Sequence, residues 1–293
     1  MIIGIKEVKY KMKVLVTGST GFIGNHVVLE LIRQGLEVIA TSKDEKKAKD
    51  YEWYSKVRYL PYDLNGTNSN YFEYFHKPDL LLHLAWEGLP HYEALQHLEE
   101  NLFSNYRFTS AMIRNGLKKI VVTGTCLEYG LQNGPLNEDL ETKPVTSYAL
   151  AKDTLRKFLE QLQTKINFDL KWLRLFYLYG KGQNPDSIIP QLEKTLDTGE
   201  ASFNMSGGEQ LRDYLPVETV AEYIVHIALQ KRITGVINCC SGTPISIINL
   251  INNIIEKKRK KVNLNLGYYP YLDYEPMAFW GDTRKLSIAL GGK

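Results

Sequence analysis

Apolar positions fall into short β-branched or aliphatic runs that alternate with stretches of helical period. Val14-Leu15-Val16 is the first run and ends at Thr17-Gly18. From Asn25 to Gln34 apolar residues recur at helical spacing (Val27, Val28, Leu31, Ile32), and Gly35 stops the pattern. Strand-like runs follow at Glu37 to Ala40, Arg58 to Leu60, Leu80 to Leu84, Lys119 to Val122 and Leu170 to Leu175. Helical patterns lie between most of them, notably Tyr92 to Arg114 and Ser147 to Lys165. Such alternation predicts an α/β fold, a doubly wound parallel sheet with helices on both faces. Sheets of this kind bind ligands beyond the carboxyl ends of their strands.

The pattern changes after Phe176. Gly, Pro and Asn become frequent, helices are separated by irregular stretches, and Gly267 to Gly281 is rich in Tyr and Pro. The expected division is a large domain over 12–175, rejoined by about 217–240, and a smaller C-terminal lobe from 176–216 and 241–293. Residues 1–11 read as an N-terminal extension ahead of the first strand.

Composition narrows the classes. The 293 residues are 44% apolar, enough for a large core. A net charge of +3 is too mild to argue for nucleic acid. The run from Glu256 to Lys261 reads as a solvated helix end. Cys126, Cys239 and Cys240 give neither a disulfide framework nor a metal-ligand spacing, which fits a reducing, cytoplasmic compartment and no metal site. No apolar stretch approaches the ~20 residues that cross a bilayer, so no membrane partner is expected.

Thr17-Gly18-Ser19-Thr20-Gly21-Phe22-Ile23-Gly24 follows a strand and opens a helix. Gly18 allows the tight turn, Gly21 lets backbone approach a pyrophosphate, and Gly24 lets helix pack on strand. The helix amino end adds free N–H groups and partial positive charge. The glycine spacing alone is weak; its strand–turn–helix setting makes it a dinucleotide-binding signature of Rossmann type. The next strand ends in Thr41-Ser42-Lys43, where many such sites carry a carboxylate for the ribose 2′-hydroxyl. A hydroxyl and an ammonium would attract a 2′-phosphate instead. NADP(H) is therefore the expected cofactor, with NAD(H) left open.

Tyr148 and Lys152 stand four apart on a predicted helix and so share a face. A nearby ammonium favours the phenolate and would lower the tyrosine pKa from about 10, making it a usable proton donor or acceptor. Tyr177 and Lys181 have the same spacing, but Gly180 lies between them at a strand end and no helix aligns them.

TGSTGFIG, HLAW (His83 to Trp86), TGTCLEYG (Thr123 to Gly130), SYALAK (Ser147 to Lys152) and LRDYLPVETVAEYI (Leu211 to Ile224) occur in that order. The set resembles the extended short-chain dehydrogenases/reductases, the NAD-dependent epimerase/dehydratase family. The resemblance implies that the smaller lobe binds substrate, a nucleoside-diphosphate sugar. It implies that Thr125 bonds the reacting sugar oxygen, Tyr148 transfers a proton, and Lys152 holds the nicotinamide ribose. It puts Thr20, Phe22 and Ile23 with the three glycines at the phosphates, Ser42 and Lys43 at the adenosine ribose, and Asp63-Leu64 beside the adenine. Leu84-Ala85-Trp86, Asn101 and Thr123 would complete the cofactor site. Tyr177 and Arg212 would bind substrate, Arg212 through its diphosphate, unless Arg212 forms an ion pair with Asp213 or Glu218. A homodimer through Tyr92–Arg114 and Ser147–Lys165 is also implied.

Absences narrow the reaction. Members that eliminate water carry Asp-Glu just after the catalytic hydroxyl; here Cys126-Leu127 supply neither carboxylate. Simple 4-epimerases carry Asn in the strand-end motif, which here reads Phe176-Tyr177-Leu178-Tyr179-Gly180. FYLYGKGQNP, NCCSGTPIS and YEPMAFWGD look like the subgroup that reduces dTDP-4-keto-6-deoxyhexoses at carbon 4. An NAD-dependent nucleotide-sugar 4-epimerase is the alternative. A non-catalytic nucleotide-sensing or RNA-binding relative is the second alternative, and the intact Tyr148 and Lys152 argue against it. The aromatics Tyr177, Tyr179, Tyr274, Phe279 and Trp280 are candidates to line a thymine and sugar pocket.

Overall fold

The computed structural model describes residues 11–67 and 70–292. The expected extension therefore lies outside the described residues, apart from Lys11. The first strands are β1 (Lys13–Thr17), β2 (Glu37–Thr41), β3 (Arg58–Tyr59), β4 (Leu80–His83), β5 (Lys119–Thr125), β6 (Gly134–Leu136) and β7 (Asp169–Leu175). Then come β8 (Tyr177–Tyr179), β9 (Ser202–Asn204), β10 (Leu211–Pro216), β11 (Gly235–Cys239), β12 (Pro244–Ser246), β13 (Asn263–Asn265) and β14 (Phe279–Gly281). The α-helices are α1 (Phe22–Arg33), α2 (Glu45–Lys49), α3 (Tyr71–Tyr74), α4 (Leu102–Arg114) and α5 (Ser147–Gln163). They continue with α6 (Ile188–Thr198), α7 (Val217–Leu229), α8 (Ile247–Lys258) and α9 (Arg284–Ala289).

Seven parallel strands form one sheet in the order β3-β2-β1-β4-β5-β7-β11. The chain starts in the middle, winds outward through β2 and β3, then crosses to build the other half. This is the doubly wound Rossmann arrangement, and its order reverses between β1 and β4. A crevice opens there at the carboxyl ends, where Gly18 and Leu84 follow β1 and β4.

Side chains alternate across the sheet. Val14 and Val16 pack against α1 and α7 through Val27, Val28, Leu31, Ile224 and Val225. Leu15, Leu81 and Val122 face the other way, onto Phe108 and Met112 of α4 and Leu155 and Leu159 of α5. All of these are buried. Truncating one, as in Leu15→Ala, would cost about 3 kcal/mol.

The rest of the chain builds small sheets at the carboxyl edge. β10 lies between β8, parallel, and β12, antiparallel; β9 pairs with β13 and β6 with β14. Residues 266–277 carry no helix or strand beyond turns. The charged run from Glu256 sits at the end of α8, with Lys258 and Lys260 paired to Asp197 of α6.

Two helix starts differ from expectation. α1 begins at Phe22, not Asn25, because Gly21 itself takes the N-cap position. The helix expected from Tyr92 begins at His97, with a wide π-type turn over His97–Asn101 leading into α4. Inward polar side chains account for it. Trp86 Nε1 donates to His97 Nδ1 (3.1 Å), and Asn101 Nδ2 donates to the Glu87 carbonyl (3.0 Å). These bonds draw the loop after β4 against the helix start, and such turns recur where helices meet ligand sites.

Candidate active site

The glycine loop needs its glycines. Gly18 has φ of 69°, and a Cβ there would lie 2.8 Å from the Ala85 amide nitrogen. A Cβ on Gly24 would lie 2.1 Å from the Gly18 carbonyl oxygen. The amide of Asn25 is bonded to the Gly21 carbonyl at 3.1 Å, which leaves the N–H groups of Phe22, Ile23 and Gly24 without helical acceptors. No side chain caps this helix and no acid sits in its first turn. The α1 terminus therefore offers donors and partial positive charge to an anion.

Thr17 and His83 brace the loop from behind. His83 is fully buried between Thr17 Oγ1 (2.9 Å from Nδ1) and Asn105 Oδ1 (2.7 Å from Nε2). The Asn105 oxygen only accepts, so the proton is assigned to Nε2, and the Thr17 hydroxyl donates to Nδ1. Thr17 Oγ1 in turn accepts the Leu84 N–H at 3.2 Å. Burial, helped by the Lys152 charge, pushes the His83 pKa down to about 3.

A cavity of about 220 Å³ runs from this loop over the ends of β2 and β4. Gly18, Thr20, Gly21, Ser42, Lys43, Asp63, Leu64, Leu84, Ala85, Trp86 and Asn101 line it, together with Lys47 and Glu87. Ser42 Oγ lies 2.8 Å from the Tyr59 hydroxyl. Lys43 Nζ lies 2.8 Å from Glu87 Oε1, so the ammonium expected to meet a 2′-phosphate is shared with a carboxylate.

An adjoining cavity of about 750 Å³ shares Gly18, Gly21, Lys47, Leu84 and Trp86 with the first. Phe22, Ile23, Gly24, Thr123, Thr125, Tyr148, Lys152 and Tyr177 line it. The Tyr148 amide donates to the Tyr92 carbonyl (2.9 Å), which seats the start of α5. Lys152 Nζ donates to the Thr123 carbonyl at 2.8 Å and lies 4.1 Å above the Trp86 ring. Burial pushes the Lys152 pKa down to about 7, against the opposing pull of Glu128. Tyr148 also departs from expectation. Burial, then Tyr92, Glu128 and Cys126, drive its phenol well above the ordinary value, and only the Thr125 hydroxyl works the other way. Desolvation dominates, so Tyr148 is a neutral phenol near pH 7.

Thr125 ends β5 and caps the turn Cys126–Tyr129. Its Oγ1 accepts the Leu127 N–H at 3.2 Å, so its own proton remains available to donate. Cys126 lines the same cavity, and burial pushes its thiol up, away from the reactive thiolate.

Arg212 lines neither cavity but lies behind Tyr177, its guanidinium 5.7 Å from that ring. It is buried, with Nη2 2.8 Å from Glu275 Oε2 and its guanidinium 4.7 Å over the Phe279 ring. Neither Asp213 nor Glu218 is its partner. The Asp213 carboxylate instead accepts N–H groups of Ser241 (2.7 Å), Gly242 (2.8 Å) and Gly281 (3.2 Å). Glu275 faces the cavity and also accepts the Tyr177 hydroxyl at 2.5 Å. Among the candidate aromatics Tyr177 lines the cavity, Tyr274 packs on Tyr92, and Phe279 is core with Phe176. Tyr179 and Trp280 do not line it.

Sequence reasoning missed Tyr92, Tyr214 and Glu275, which line the larger cavity, Lys47, which lines both, and Glu128. Only Glu128 had a readable signal, the capping-box spacing Thr125-x-x-Glu128. Among the described residues no group of three or more potential ligands is placed to hold a metal ion. Nor is any helix long and apolar enough to cross a membrane.

Comparison with known proteins places the chain. Residues 14–240 match the model of the NAD dependent epimerase/dehydratase family. The chain belongs to that family. It is 29% identical over 282 residues to a dTDP-6-deoxy-L-talose 4-dehydrogenase (NAD(+)) from Aggregatibacter actinomycetemcomitans, covering 92% of this chain and 99% of that protein. It is 26% identical to an Escherichia coli dTDP-4-dehydro-6-deoxyglucose reductase, covering 86% of this chain and 83% of that protein. The structure of MoeE5 in complex with UDP-glucose and NAD superposes with a TM-score of 0.81 at 26% identity, covering 96% of this chain and 93% of that one. The resemblance to extended short-chain dehydrogenases/reductases is thus confirmed, as is the Rossmann-type fold. The chain is an enzyme of the epimerase/dehydratase family.

Proposed function

We propose that this family member is a nucleotide-sugar reductase that delivers a hydride to carbon 4 of a dTDP-4-keto-6-deoxyhexose. The observation that carries the reading is the grouping of Thr125, a protonated Tyr148 and Lys152 in the cavity that adjoins the glycine loop. A neutral phenol suits a proton donor, and reduction of a ketone needs one. The two relatives named above with dTDP-sugar substrates support the substrate class.

The residues fit a dinucleotide. Gly18 and Gly24 let the loop after β1 pack against Ala85 and against the start of α1, and the uncapped α1 amides open beside the cavity. Phe22, Ile23 and Thr20 would flank the phosphates, Asp63 and Leu64 the adenine, and Ala85, Trp86, Asn101 and Thr123 the riboses. Bound there, the dinucleotide supplies the hydride. Thr125 donates to the ketone oxygen and Tyr148 gives its proton as that oxygen becomes an alcohol. Lys152, fixed between the Thr123 carbonyl and the Trp86 face, would hold the sugar hydroxyls of the cofactor. Beside Thr125, Cys126-Leu127 provides no base for elimination. The carboxylate in the cavity, Glu275, is bound to Arg212 and Tyr177.

Cofactor choice is proposed to favour NADP(H). Ser42 stands where a carboxylate would repel a 2′-phosphate, and Lys43 and Lys47 line that end. The Lys43–Glu87 pair moderates the preference. We also propose a homodimer: Leu95 on the segment before α4, Phe103 on α4, and Leu150 and Phe158 on α5 are exposed apolar side chains. Light scattering that returns a monomer contradicts it. The reaction is tested by following NADPH consumption with a panel of 4-keto nucleotide sugars. Stoichiometric oxidation with a dTDP-4-keto-6-deoxyhexose supports the reading. Interconversion of sugars without net consumption indicates the epimerase instead.

A further inference from the structure

Next to Thr125, among residues that do not line the cavity, lies a buried charged network. Glu128 is fully buried, and its Oε1 accepts the Thr125 backbone N–H and the Trp172 indole N–H, each at 2.9 Å. Its Oε2 lies 2.8 Å from Arg174 Nε. Arg174 is itself buried and stacks 4.4 Å over the Tyr129 ring. The Tyr129 hydroxyl then donates to Asn238 Oδ1 at 2.8 Å. The network thus ties β5, its following turn, β7 and β11 together.

The backbone is shaped to admit it. Gly124 is the register partner of Arg174 across β5 and β7. A Cβ on Gly124 would lie 2.1 Å from Trp172 Nε1 and 2.3 Å from Glu128 Oε1. Stability alone is a poor reason for such an arrangement, because a buried ion pair recovers its desolvation cost incompletely and apolar residues of similar size often do as well. What apolar residues cannot do is bond the Thr125 amide. That bond, with the Leu127 N–H donated to Thr125 Oγ1 at 3.2 Å, fixes both ends of the threonine.

We propose that Glu128, held by Arg174 and Trp172, is a positioning residue that sets the Thr125 hydroxyl against Tyr148. The proposal rests on the reading of Thr125 and Tyr148 as the pair that meets the ketone. The Glu128 charge also acts on that pair's surroundings, favouring the charged form of Lys152 and the neutral form of Tyr148.

Two variants test it. Glu128→Gln removes the charge but keeps an acceptor for the Thr125 amide, so it is the conservative control and should leave Thr125 in place. A triple variant, Glu128→Met with Arg174→Met and Trp172→Phe, removes every charged or indole partner and so strands none of them. Thermal unfolding and dinucleotide titration establish that each is folded. In the folded triple variant kcat should fall roughly tenfold or more while KM changes less than about threefold, because misplacement of a reacting group acts on the transition state. Its crystal structure should show the Thr125 hydroxyl displaced from its position against Tyr148. A folded triple variant with kcat within about twofold of wild type, or with Thr125 unmoved, overturns the proposal. Should the wild-type enzyme reduce none of the sugars, the proposed reaction falls, and the Thr125 position alone decides the role of Glu128.

Discussion

Lys152 Nζ lies 4.1 Å from the centre of the Trp86 ring but 6.0 Å from that of Tyr148. The lysine is therefore seated between the Trp86 indole face and the Thr123 carbonyl, and not over the phenol. Tyr148→Phe should consequently separate chemistry from binding. It is expected to lower kcat by about 10²- to 10⁴-fold and leave dinucleotide affinity within a few-fold. Lys152→Met should weaken both. Stopped-flow reduction beside fluorescence titration checks this; full turnover by the phenylalanine variant would remove Tyr148 as donor.

Burial of Lys152 predicts an alkaline gain in stability. Its folded pKa of about 7 lies below the ordinary lysine value, so between these values the unfolded chain binds the extra proton. Stability then rises with pH through that window, and the full cost is present below about pH 7. Between pH 7 and 9 the contribution is about 2 kcal/mol. Urea unfolding of wild type and Lys152→Met at both pH values measures it. Equal pH slopes in the two proteins would contradict a buried, easily discharged amine.

His83 predicts the acid limb. Its pKa is held at about 3, so the unfolded chain binds the extra proton between there and about 6.5. Stability falls as pH drops through this interval, by about 2 kcal/mol between pH 7 and 5. His83→Gln should flatten that limb. An unchanged acid slope would place the sensitivity elsewhere.

The Lys43–Glu87 pair predicts how cofactor choice can be moved. Glu87→Gln should free the ammonium and raise the NADP(H) over NAD(H) preference several-fold, and Lys43→Ala should lower it. Both charges are partly exposed, so the effect should shrink as salt increases. Dissociation constants for the two dinucleotides at low and high salt provide the check, and a ratio that ignores both substitutions would rule out Lys43 as a selector.

Some of this site was legible because its requirements are local. The glycine loop needs a left-handed turn and close backbone approach within eight residues, and Tyr148–Lys152 needs only one helical turn. The sheet was legible because β1, β2, β4 and β5 carry continuous apolar runs. The Arg212–Glu275 pair spans 63 positions and joins a strand to an irregular tail, so no period announces it. The late start of the helix before α4 depends on Trp86 and Glu87, which arrive from another strand's loop. The upward shift of Tyr148 depends on what surrounds it in three dimensions, which spacing cannot express. Glu128 lay between these cases: its capping-box spacing was visible, but its partners Trp172 and Arg174 come from β7.

The central claim is reduction of a ketone with Tyr148 as the proton donor. The most direct measurement is the rate of NADPH oxidation with a dTDP-4-keto-6-deoxyhexose, for wild type and Tyr148→Phe, with the product sugar identified. The account predicts one 4-hydroxy sugar formed for each NADPH consumed, and loss of that turnover in the variant. A 4-keto sugar left unreduced by the folded wild-type enzyme, or reduced equally well by Tyr148→Phe, contradicts it.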